Sequence, residues 1–69
     1  MVFRSPADPA AAEAHYRECL AAIRGKDYHR AVDECEIAAQ LNPGDEHIYV
    51  ARERAKQEWN AVNAGRAQP

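Results

Sequence analysis

Two breaks divide this 69-residue chain, Gly25-Lys26-Asp27 and Asn42-Pro43-Gly44-Asp45. The runs on either side are rich in Ala, Glu, Arg, Gln and Leu, which are good helix formers. No stretch alternates apolar and polar residues for long enough to make a strand. The pattern predicts three helices. The two corners are so short that neighbouring helices must run antiparallel.

The local chemistry places the ends. Asp8 is suited to cap the first helix, with Pro9 at its first position, where a missing N–H costs nothing. That helix is expected to run to about Arg24, and Gly25 to supply a conformation a Cβ would resist. Asp27 caps a second helix from Tyr28 to about Leu41. Asn42 is expected to close it in the left-handed region, and Pro43 cannot continue it. Asp45 caps a third helix, and Glu46 favours the positive end of its dipole. Its end is expected at about Val62 or Asn63, with Gly65 just beyond. Residues 8–63 then form the domain, between a loose head, 1–7, and a loose tail, 64–69.

Large apolar residues are few, because much of the 46% hydrophobic content is alanine. A core this small argues against an enclosed substrate cavity. On the third helix Ile48, Ala51, Ala55, Trp59 and Val62 recur at steps of three or four, an apolar stripe with Trp59 as its expected anchor. Nine basic and eleven acidic residues give a net charge of −2, with both signs interspersed. There is no basic stripe to suggest nucleic acid. No apolar run approaches the roughly 18 residues a membrane span needs, and MVFRSPADP lacks the apolar segment of a secretory signal. These readings place the chain in the cytoplasm, with Cys19 and Cys35 as reduced thiols.

The second Asp/Asn-Pro step lies 34 residues after the first, at Asn42-Pro43 against Asp8-Pro9. A helix pair repeating at 34 residues with a closing Pro is the mark of a tetratricopeptide repeat, and Ala12–Asp45 resembles one. Gly25-Lys26-Asp27-Tyr28 is similar to the family's Gly-Asp-Tyr turn with one residue inserted. Ala31, Ala38 and Pro43 match its small, small and Pro positions, and Ala39 and Leu41 suit its close. The chain departs from the pattern at His15, Glu18-Cys19, Ala22 and Cys35, where the family has an aromatic, Leu-Gly, Tyr and a second aromatic. The resemblance implies an all-α fold, an antiparallel helix-turn-helix pair followed by a third, capping helix, and a role as a protein-binding scaffold.

The resemblance also implies a working surface. One side of the family's first helix lines a concave groove that receives a partner segment. The matching positions are Glu13, Tyr16, Leu20, Ile23 and Arg24, with His47, Val50 and Arg54 as the facing wall. Tyr16 and Leu20 lead this set, and the alternative is that both only fill a three-helix core. The expected partner is another protein or peptide segment. Ala10, Ala14 and Ala21 give the first helix a small, flat face, which either stays uncapped or packs on a second copy as a homodimer.

Chemistry is sparse. His15 and Cys19 are spaced i, i+4, and in the hairpin Cys35 should lie level with Cys19, where an oxidant could join the two if their Cα atoms come within about 7 Å. A thiol- or metal-responsive domain using His15, Cys19 and Cys35 is the alternative function. The simpler reading has His15 in place of an aromatic and the cysteines as small core residues. No Cys-x-x-Cys and no fourth ligand stand out, and no cofactor is expected. His29 and His47 should lie exposed in the first turns of their helices. There is no phosphate loop, nucleophile elbow or facing carboxylate pair, so no enzyme is expected. The chain is also readable as a stretch of a longer repeat protein.

Overall fold

The structure is a computed structural model and describes residues 7–67. Residues 1–6 of the expected head and residues 68 and 69 of the expected tail lie outside that range. Three helices fill the described chain: α1 (Pro9–Arg24), α2 (Tyr28–Leu41) and α3 (Glu46–Ala67). The fold is all-α, as the sequence predicts. α1 and α2 form a closely packed antiparallel pair, α3 packs on α2, and α1 and α3 touch least.

The caps form as expected at the N-termini. The Ala11 N–H donates to Asp8 Oδ1 at 3.1 Å, and Arg30 N–H donates to Asp27 Oδ1 at 3.4 Å. The His47 N–H donates to Asp45 Oδ1 at 2.9 Å. The Asp8 N–H also donates to the Leu41 carbonyl at 2.9 Å. That bond satisfies one of the acceptors a helix end leaves open and ties the entry of α1 to the exit of α2.

The C-termini differ from expectation. Gly25 has φ −80°, an ordinary value, and Lys26 is the left-handed residue at φ 62°. The Asp27 N–H bonds to the Ala22 carbonyl (2.8 Å) and the Lys26 N–H to that of Ile23 (3.0 Å). This is the Schellman closure, with Lys26 in the place glycine usually fills. Asn42 is extended, at φ −145° and ψ 75°, and not left-handed; the Pro43 ring crowds its backbone out of helical space. α3 runs through Gly65 to Ala67, beyond the expected end at Asn63. A single Gly costs a helix only about 1 kcal/mol relative to Ala, and Ala64, Arg66 and Ala67 around it are strong formers.

The interior is built from small groups. Ala12, Ala22, Ala31, Ala38, Ala51 and Ala55 are buried, and the largest fully buried side chains are Ile48, Cys19 and Cys35. Ile48 packs with Ala12 and Ala38, while Ala51 and Ala55 cover the two cysteines. Trp59 is half-buried and not a core anchor. Its ring lies 5.3 Å from that of His29, in the first turn of α2. α2 begins there, so α3 has no helix beneath it beyond that level. The 22-residue α3 outruns the 14-residue α2, and the Cα radius of gyration is 13.3 Å, against about 11 Å for a compact chain of this length.

Candidate binding groove

Cys19 and Cys35 come level, as the hairpin register predicts, with Cα atoms 5.4 Å apart, and they are joined in a disulfide. The expectation of two free thiols is corrected: the structure holds no free cysteine among the described residues. Both sulfurs are fully buried between α1 and α2 beneath Ala51 and Ala55. Around this bond the two helices are stitched by side chains. The His15 ring, at Nδ1, lies 2.7 Å from Glu34 Oε1, and Arg30 Nη2 lies 3.4 Å from Glu18 Oε2.

His15, Cys19 and Cys35 therefore do not stand as a ligand set here. The two sulfurs are bonded to each other, and the His15 ring is engaged by Glu34. Among the described residues no cluster of three His, Cys, Asp or Glu is arranged to hold a metal ion. His29 and His47 are exposed, as expected from their helix positions. His29 Nδ1 is 3.8 Å from Asp33, and His47 Nδ1 is 3.5 Å from Asp45.

The wide gap between α1 and α3 is a groove of about 630 Å³. α1 contributes Tyr16, Leu20, Ile23 and Arg24, and α3 contributes His47, Val50 and Arg54. Seven of the eight positions singled out in the sequence thus surround one space. Glu13 does not: it lies exposed and holds Arg17 at 3.2 Å, one turn along α1. Tyr16, Leu20 and Ile23 are partly buried, and their inner sides pack on the core clusters. They are at once the outer wall of the core and the floor of the groove. Val50 rises from the opposite side and is 65% exposed.

Four further charged or aromatic residues line the groove: Lys26, Tyr28, Glu46 and Glu58. Glu46 and Glu58 continue the i, i+4 line of Val50 and Arg54, so helical spacing alone could have found them. Lys26 and Tyr28 reach it from the α1–α2 corner, which the left-handed turn at Lys26 positions. The lining carries three formal positive and two formal negative charges over an apolar floor. No polar or charged residue among the described ones is fully buried.

Val50 and Arg54 lie 34 residues after Tyr16 and Leu20, and each pair faces the same space. Compared with known proteins, the chain matches no family model, no curated protein and no solved structure. No helix among the described residues is long and apolar enough to cross a membrane.

Proposed function

We propose that the chain is a protein-interaction module that takes a partner segment into the groove between α1 and α3. One observation carries this reading. The core is made of alanines, a cystine and one isoleucine, while Tyr16, Leu20, Ile23 and Val50 are placed around an open space. A chain short of large apolar residues gains more stability by burying them centrally. Placing them with one side on the core and the other open to a groove suits a surface that is covered by something else. Tyr16 and Tyr28 add anchors with an apolar body and a polar tip, a frequent trait of interface residues. The helix pair, the Pro43 corner and the 34-residue spacing support a tetratricopeptide-like scaffold, with α3 as its capping helix. On this reading the chain is a binding protein and not an enzyme, and its partner is a protein and neither nucleic acid nor membrane.

The alternative, a thiol-responsive domain, is favoured by one feature, the buried Cys19–Cys35 disulfide. Location belongs with it. In the cytoplasm the pair would be kept as two thiols, and in an oxidising compartment as the bond. We retain the cytoplasmic reading as a proposal in which the bond forms only on oxidation; it is checked by blocking free thiols during lysis and weighing the protein: two blocked cysteines support it, and none refutes it.

The groove reading is tested by placing a photoreactive phenylalanine at Val50 and, as control, at exposed Glu36 on α2. Irradiation in the native cell should give discrete protein adducts from position 50 only. Equal adducts from both positions, or none from 50, would remove the proposal.

A further inference from the structure

We infer that the segment received by the groove is α3 of a second copy of the same chain, laid antiparallel on its own counterpart. This rests on the groove reading above and names the occupant.

The order of side chains along the exposed side of α3 carries it. Glu46, Val50 and Arg54 follow one another at steps of four and so share one stripe. All three are exposed and all three line the groove. The stripe reads negative, apolar, positive, and then negative again at Glu58; its first three members are arranged symmetrically about Val50. Such an order is complementary to itself when reversed. If two copies meet antiparallel at Val50, Glu46 of each comes level with Arg54 of the other, and the two valines meet at the centre. A two-fold interface requires this kind of self-complementarity, because one patch must serve both sides.

Two further observations agree. Neither Glu46 nor Arg54 makes an ion pair among the described residues, so both are open to pairing between chains. The groove lining is nearly balanced in charge, with Arg24, Lys26 and Arg54 against Glu46 and Glu58. A balanced surface lets like meet like without repulsion, whereas a site for a strongly acidic or basic segment would carry a clear excess of one sign. The alanine face of α1 is a weaker candidate for the same role. Ala10, Ala14 and Ala21 are exposed but offer only methyl groups to a partner.

Sedimentation equilibrium on the full chain tests the inference. The parent should weigh about twice its 7.7 kDa. Arg54→Glu sets like charges opposite each other at both ends of the seam and should weaken the dimer about tenfold or more. Glu46→Arg should do the same. The double variant, Glu46→Arg with Arg54→Glu, restores opposite charges in reverse and should recover the dimer, with circular dichroism confirming that each variant keeps its helices. A parent that stays monomeric at millimolar concentration overturns the inference. So does a dimer indifferent to the single changes, or one the double change fails to recover. If the parent is monomeric while a photoreactive side chain at position 50 still captures a different protein, the groove reading stands and only the second copy falls.

Discussion

The seam between α1 and α2 and the groove between α1 and α3 are built from different apolar residues. The seam uses Ala12, Ala22, Ala31, Ala38 and the Cys19–Cys35 bond, and lets two helices approach closely. The groove is lined by Tyr16, Leu20, Ile23 and Val50, where α1 and α3 touch least. Alanine buries little area, so the seam gains modestly from the hydrophobic effect. The disulfide compensates by restricting the unfolded chain. The contrast teaches that closeness and hydrophobicity are supplied separately here. The cross-link holds the pair, which leaves the larger side chains available to face outward.

The largest expected effect therefore lies in the seam. The disulfide spans 16 residues, and a loop of that size contributes about 3 kcal/mol. That approaches the whole margin of roughly 3–5 kcal/mol for a core this small. Urea unfolding with and without reductant should show it as a large fall in midpoint. An unchanged midpoint would mean that the alanine packing suffices by itself.

A paired substitution sharpens the contrast. Ala38 is fully buried, and Ala38→Leu should cost about 1–3 kcal/mol by overpacking. Val50→Leu on the groove rim should stay within about 0.5 kcal/mol of the parent. Similar losses at both positions would erase the distinction between the regions. Trp59 belongs to neither region and is half-buried against His29. Trp59→Ala should lower stability by about 1–2 kcal/mol, less than the roughly 3–5 kcal/mol of a fully buried aromatic. A thermal melt showing the larger loss would put the ring in the core after all.

The smallest effect concerns the corner. Lys26→Gly relieves a left-handed residue and should stabilise the chain by about 1 kcal/mol. Gly25→Ala should be harmless or slightly favourable, because Gly25 has an ordinary φ and an added Cβ would meet only the Ala21 and Ala22 carbonyls, at 3.6 and 3.8 Å. If the glycine is the residue that matters, these two results exchange places.

The helices and their register were legible because Asp8, Asp27 and Asp45 are strong local signals and the corners leave no slack. The level of Cys19 with Cys35 followed from that register. Their capacity to bond followed too, but not their oxidation state, which depends on surroundings as well as spacing. The exchange of roles between Gly25 and Lys26 was hidden because the Schellman pattern is set by which carbonyls the turn can reach, and Lys tolerates the position. The end of α3 was missed because one Gly is too weak a stop. Most of the groove was legible in the i, i+4 order of α1 and α3. Glu13 falls outside the groove lining, one turn before Tyr16 and paired with Arg17 along α1. Trp59 was misread because a stripe records which side faces inward and not where the opposing helix begins.

The central claim is that the groove's large side chains serve contact with a partner more than they serve the fold. Two numbers on one variant, Val50→Ser, test it most directly: the unfolding midpoint in urea, and the yield of adducts from a photoreactive side chain at neighbouring position 47. The account predicts a stability within about 0.5 kcal/mol of the parent and a clear loss of adducts. A steep fall in stability with adduct yield unchanged would contradict it.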